Sequence, residues 1–243
     1  MKNTVSGMWQ RALRHRTMRI QYILTLPALG LVLSVLSRFL TFVERRQGAR
    51  LPDPVLDMLV PHELGWITFG LIYLGLILAL ATLGRNPVRL LLALQAYIIL
   101  MVLRIVVMYT APLEPPLGMI LLRDPVVESF GPSMPLTKDL FFSGHTATLF
   151  LLFLVARGST VRWFFLGGTV GVGICVLWQH VHYTVDVLGA AAFAYCAYRI
   201  ARGLQGKMGT LAFAQANPEL IGAYSPHVTE NENMQDASAE ETT

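Results

Sequence analysis

Charge is what this sequence has least of. Only 14% of its 243 residues are Asp, Glu, Lys or Arg, while 54% are hydrophobic; a water-soluble domain usually carries about 25% charged residues. That deficit, with a mean hydropathy of +0.53, excludes an ordinary soluble domain and points to the bilayer. Cysteine is scarce as well. Cys175 and Cys196 both lie inside apolar stretches, which excludes a disulfide scaffold and makes them small core hydrophobes. Nothing repeats at a fixed short period, so no solenoid is expected. The net charge is +4, but the basic residues are not clustered as a nucleic-acid-binding face would need them. They stand at the ends of apolar runs, as in membrane proteins.

Those runs are long. About 20 helical residues cross a hydrocarbon core of ~30 Å, and six stretches qualify, at 21–43, 65–84, 87–109, 140–157, 162–181 and 183–203. The first is too long for a cleavable signal peptide and lacks a small-residue cleavage site after it. The expected fold is an all-α polytopic membrane protein. Residues 21–203 form a bundle of six transmembrane helices, between a basic segment 1–20 and a polar, disordered tail 204–243. Twelve bases (Lys2, Arg11, Arg14, Arg16, Arg19, Arg85, Arg89, Arg157, Arg162, Arg199, Arg202 and Lys207) fall on one side of that topology. Five (Arg45, Arg46, Arg50, Arg123 and Lys138) fall on the other. By the positive-inside bias both termini are cytoplasmic. The long connection 110–139 then faces outward. It mixes prolines with Met119, Ile120, Leu121 and Leu122, so part of it is expected to pack on the membrane surface or over the bundle mouth.

An ionisable group inside or at the mouth of such a bundle is expensive and therefore a functional candidate. His145, within Phe142-Ser143-Gly144-His145-Thr146, opens the fourth stretch; His182 and Asp186 open the sixth. The fourth and sixth stretches run the same way, so both histidines fall at one level on the outer side. His182 and Asp186 are four apart, the spacing that stacks two side chains on one helix face. A carboxylate there fixes the imidazole tautomer and raises the basicity of its other nitrogen. Ser143-Gly144 supplies a helix start, whose free amides suit a phosphate oxyanion, and His145 is placed to act as an acid on a departing group.

Plainer readings stand beside these. A lone histidine at a helix end is more often an interfacial polar residue than a catalyst. His180-Val181-His182 contains a His-x-His pair, but residues two apart on a helix point apart, so no metal site is expected. A transporter would place its charges near the bilayer midplane and break its helices there, whereas these lie toward one end.

Phe142-Ser143-Gly144-His145-Thr146 together with His182-Tyr183-Thr184-Val185-Asp186-Val187 resembles the paired motifs of the sphingomyelin synthase family, a branch of the lipid phosphate phosphatase/phosphotransferase superfamily. The resemblance covers roughly residues 85 to 200. Asp139, six before His145, matches an acidic position of the family's first motif. Arg104 to Thr110, followed by Pro112 and Pro115-Pro116, is similar to its Arg-and-proline segment. Val176 stands six before His182, where the phosphatase pattern has arginine, and the Lys-x6-Arg-Pro signature is absent; both favour the synthase branch. The resemblance implies six spans, cytoplasmic termini and a His–His–Asp site on the outer face, with His145, His182 and Asp186 catalytic and no metal or cofactor. It implies transfer of a phospho-head group from a glycerophospholipid donor to ceramide or a diacylglycerol-type acceptor, with phosphatase or phospholipase C-type hydrolysis as the alternative outcome. Arg104 is the candidate phosphate anchor against a snorkelling span-end arginine. Asp139 orients His145 or caps a helix. Ser143 and Tyr183 complete the candidate substrate contacts, against a structural hydroxyl for Ser143, with Thr146, and an interfacial aromatic for Tyr183, with Trp163 and Trp178. Short loops suggest a bacterial inner membrane, with the site facing the periplasm or exterior.

Overall fold

The computed structural model describes residues 4–124 and 136–217, and these are helical with no strand among them. The helices are α1 (Val5–Arg14), α2 (Arg16–Glu44), α3 (Pro54–Asp57), α4 (Gly65–Leu83), α5 (Pro87–Thr110), α6 (Gly144–Val155), α7 (Ser159–Trp178), α8 (Thr184–Lys207) and α9 (Thr210–Gln215). Their limits follow local chemistry. Asn86 caps α5 by accepting from the Arg89 amide, with Pro87 at the first helical position. Asp53 caps α3 in the same way, ahead of Pro54.

Four helices, α2, α4, α5 and α7, are long and apolar enough to cross a membrane, as predicted for the first, second, third and fifth stretches. The other two differ. The fourth stretch, predicted at 140–157, is helical only over the 12 residues of α6, because residues 140–143 are held in a non-helical turn described below. The sixth, α8, has 24 residues but carries Asp186, Arg199, Arg202 and Lys207 among alanines, which lowers its hydropathy. At its C-terminal end the chain stays ordered beyond 204. α8 runs to Lys207, and α9 packs Phe213 and Ala214 against Ala12, Met18, Tyr22, Val88 and Leu91. Residues 204–217, assigned to the polar tail, are therefore mostly helical, and residues 218–243 lie outside the described residues. The basic N-terminal segment is likewise an ordered helix. Trp9 Nε1 donates to the Gly84 carbonyl at 2.8 Å, seating α1 against the bundle.

One apolar core runs through α5, α6, α7 and α8, with Ala96, Leu100, Ala147, Leu151, Phe165, Val172, Val176, Ala190, Ala194 and Ala197 buried together. The alanine stripe of α8 lets it approach α5 and α6 closely. Successive long helices run to and fro, so that one end of the bundle collects the loops 45–64, 111–124, 136–143 and 179–183. The expected packing of the long connection over the mouth holds for its described part: Met119 and Leu122 pack on the main core, and Ile120 and Gln179 exchange hydrogen bonds. The basic residues Arg11, Arg14, Arg16, Arg19, Arg85 and Arg89 lie at the other end.

Candidate functional site

The first motif is shaped by an arginine. Arg104, buried in α5 with 3% of its surface exposed, donates to the Phe142 carbonyl and pairs with Asp139 at 2.6 Å. Phe142 is fixed in turn by stacking on Phe193 of α8, centroids 4.6 Å apart. These partners stop the helix from starting at 140 and deliver the chain to α6 at Gly144. A β-carbon on Gly144 would stand 2.7 Å from Arg104 Nη1, so only glycine lets the guanidinium lie against the helix start. His145 follows on the first turn of α6, its ring edge-on to Phe69 at 5.9 Å.

The second motif is shaped by a helix end. α7 closes with the His180 amide donating to the Leu177 carbonyl and the Val181 amide to the Val176 carbonyl, each at 2.9 Å. This is a Schellman closure with His180 in its left-handed position, φ 55°. The chain reverses there, and α8 begins only at Thr184. His182 and Asp186 therefore do not stack on one helix face, as their spacing predicts. Asp186 lies in the first turn of α8 and reaches back over its start: Oδ2 accepts from the Tyr183 amide at 3.0 Å and stands 3.3 Å from His182 Nδ1. The expected pairing is present, by a capping geometry rather than a helical one. A carboxylate can only accept at this contact, so the tautomer that pairs with it carries its proton on Nδ1 and its lone pair on Nε2. Both side chains are buried, and Asp186 Oδ1 has no hydrogen-bond partner among the described residues. A half-satisfied buried carboxylate is costly to keep.

The two motifs meet directly. The Ser143 amide donates to the Asp186 carbonyl at 3.1 Å, and Val187 packs beside Gly173 and Thr146. His145 and His182 lie within electrostatic reach of each other, and both act on Asp139. Burial works against the Asp139 charge, but the Arg104 guanidinium beside it, helped by the two histidines, holds its carboxyl below the usual carboxylate range.

Three of the predicted substrate contacts are occupied by protein. Arg104, predicted as a phosphate anchor or a snorkelling residue, is neither free nor at the surface; it fixes the 139–144 turn. Ser143 is fully buried, with its Oγ 3.1 Å from Thr146 Oγ1, the setting of a structural hydroxyl. Tyr183 is buried, and its hydroxyl donates to the Glu114 carbonyl at 2.9 Å and accepts from the Leu51 amide at 3.3 Å. It clamps two loops, and its burial sets it apart from an interfacial aromatic; Trp163 and Trp178 do face outward. Asp139 does not cap α6, whose cap residue is Ser143.

Other residues of this end give no signal near the motifs. Asp53 caps α3 and also accepts from Thr184, at 2.6 Å from its amide and 3.0 Å from its hydroxyl, so it caps α8 as well. Its Asp-Pro start is legible in the sequence; its second partner, 131 residues away, is not. Glu44 accepts from the Thr137 and Lys138 amides, and Lys138 pairs with Glu114 at 2.7 Å. Tyr73 donates to Asp124, which lies within electrostatic reach of His145. Among the described residues, no three His, Cys, Asp or Glu side chains group as a metal-ion set. No family model matches the chain, and no curated protein matches it.

Proposed function

We propose that this chain is an integral membrane phosphotransferase that moves a phospho-head group from a glycerophospholipid to ceramide or a similar lipid alcohol. The observation that carries the reading is the meeting of His145, His182 and Asp186 at one end of an apolar helical bundle, with Asp139 and Arg104 beside them. The resemblance of the two motifs to the sphingomyelin synthase family supports it.

In this reading His182, with Nδ1–H held by Asp186, attacks the lipid phosphorus through Nε2. The bond from phosphorus to the diacylglycerol oxygen breaks, and His145 gives that oxygen its proton. The acceptor hydroxyl then attacks the phosphohistidine, passes its proton to His145, and frees His182. Water in place of the acceptor gives hydrolysis. Asp186 stabilises the positive charge that His182 gains, and Arg104 and Asp139 hold the turn carrying His145. No step needs a metal or cofactor.

The proposal includes six crossings with both termini on the cytoplasmic side of a bacterial inner membrane. α6 is about 18 Å long at 1.5 Å per residue, and the buried turn 140–143 completes its passage; such backbone is tolerated at membrane depth when covered by protein. The site then faces the periplasm. The deciding experiment is mass spectrometry of lipids after incubating purified protein with mixed phospholipids, with and without ceramide. A head-group-bearing ceramide should form only when ceramide is present, and its formation should survive EDTA. Absence of any new lipid or diacylglycerol would refute the reading.

A further inference from the structure

At the end of the bundle that carries the site, apolar side chains gather on two loops and point away from the protein. Leu56 is buried under α3, which turns its neighbours outward: Val55 is 44% exposed, Met58 85% and Val60 70%. Leu117, on the strap from 111 to 124, is 71% exposed. The two loops touch, since a β-carbon on Gly118 would stand 3.2 Å from Pro61 Cγ, so Val60 and Leu117 flank one contact. Neither loop is loose. The Leu117 carbonyl accepts from His180 Nδ1 at 2.8 Å, and the His62 amide donates to the Trp178 carbonyl at 3.1 Å.

Two exposed tryptophans set the level of this patch. Trp66 stands in the first turn of α4 and Trp178 at the last residue of α7, 76% and 41% exposed. Tryptophan at the ends of membrane-crossing helices marks the layer between head groups and acyl chains. The same loop leads through the exposed His62 and Glu63 into α4, whose outward flank exposes Ile67, Leu74, Ile77 and Leu80 on a helix apolar enough to cross a bilayer. An apolar patch whose loop runs into an exposed tryptophan at the start of such a helix has lipid as its fitting partner.

We infer that Val55, Met58, Val60 and Leu117 form an apron immersed in the glycerol and upper acyl layer of the leaflet on the site side. The inference rests on the proposed lipid chemistry for its consequence: the apron's strap is tied to His180, two residues from His182, so lipids held at the apron are the pool from which the site draws.

The test uses the full chain with Cys175 and Cys196 replaced by alanine. Single cysteines at Met58, Val60 and Leu117, and at the exposed loop residue Gln47 as a control, are labelled with bimane. The labelled proteins are placed in phosphatidylcholine nanodiscs with or without lipids bearing a doxyl group at acyl carbon 5. The three apron labels should be quenched by doxyl lipid and spared by aqueous iodide, with the reverse at Gln47. Iodide quenching of the apron labels equal to that at Gln47 overturns the inference. Protection from both quenchers overturns it too, and assigns the patch to a second copy of the chain. In a second arm, Met58→Asp combined with Leu117→Asp should lower turnover of long-chain lipid in vesicles at least about tenfold. Turnover of short-chain lipid dispersed as monomers should be unchanged. An equal loss on both substrates overturns the link to lipid supply. If the unaltered protein turns over no lipid, the enzymatic reading fails while the quenching result still decides the apron.

Discussion

Arg104 lies so close to Gly144 that a β-carbon there would meet its Nη1 at 2.7 Å. Arg104 is buried and tied to Asp139 and the Phe142 carbonyl, so swinging aside would break those bonds. Gly144→Ala should therefore cost about 1–3 kcal/mol, the range for overpacking, and should displace His145 next to it. Thermal melting in detergent measures the first effect and lipid turnover the second. Arg104→Lys removes the planar fork and should relieve the clash, so the two changes together should cost less than the sum of each alone. Strict additivity would mean that the two residues do not meet as described.

The His182–Asp186 pair predicts a non-additive pattern. His182→Ala and His145→Ala should each abolish turnover with expression and melting temperature largely kept. Asp186→Asn keeps a side chain of the same shape but loses the charge and admits the wrong tautomer, so a loss of at least about 100-fold is expected. Adding Asp186→Asn to His182→Ala should then cost little more than His182→Ala alone. Further loss in the double variant would assign Asp186 a role apart from His182.

His180 tests the helix end. Its spacing suggests a residue pointing off a helix face, where alanine costs little. The structure instead puts it at φ 55° with its ring bonded to the Leu117 carbonyl, so His180→Ala should lower the melting temperature. His180→Gly loses the same hydrogen bond but relaxes the backbone, and should be more stable than His180→Ala by about 1 kcal/mol. Equal melting temperatures for the two would exclude backbone strain at this position.

Acid should loosen the loops over the site. The Glu114 carboxyl is held below the usual carboxylate range by its hydrogen bonds from Lys138 and the Gly48 amide. Asp53 is held low despite its burial, through its bonds from Thr184 and the α3 amides. A carboxyl depressed in the folded state adds stability that is complete above its unfolded pKa, about 4. That stability is lost as pH falls through the lower folded value. Melting temperature should stay level from pH 7 to about 5 and fall steeply below about 4. Glu114→Gln and Asp53→Asn should melt lower at pH 7 and show a shallower acid decline. A decline concentrated between pH 7 and 5 would point to histidine instead.

Four long apolar helices were legible from the chain because hydrophobic length and charge at helix ends act over a few neighbouring positions. α4 and α5 start and stop within a residue of the apolar stretches 65–84 and 87–109, and α7 lies three residues before the stretch 162–181. The pairing of His182 with Asp186 was legible too, although its geometry was not. Four residues separate them in a helix and across a helix start alike, and only the left-handed turn at His180 decides between the two.

Most of what surrounds the histidines was decided by packing between distant segments. Arg104 meets Asp139 across 35 positions, Tyr183 meets Leu51 across 132, and Thr184 meets Asp53 across 131. No periodicity in the chain specifies such encounters. In the crowded mouth of an apolar bundle, each buried polar group must find a partner or bear the full cost of leaving water. The partner is whichever group the helices bring there. That is why the sequence pointed to Arg104, Ser143 and Tyr183 as chemically able residues, and only the folded chain revealed that their donors and acceptors were already engaged in holding the site's walls.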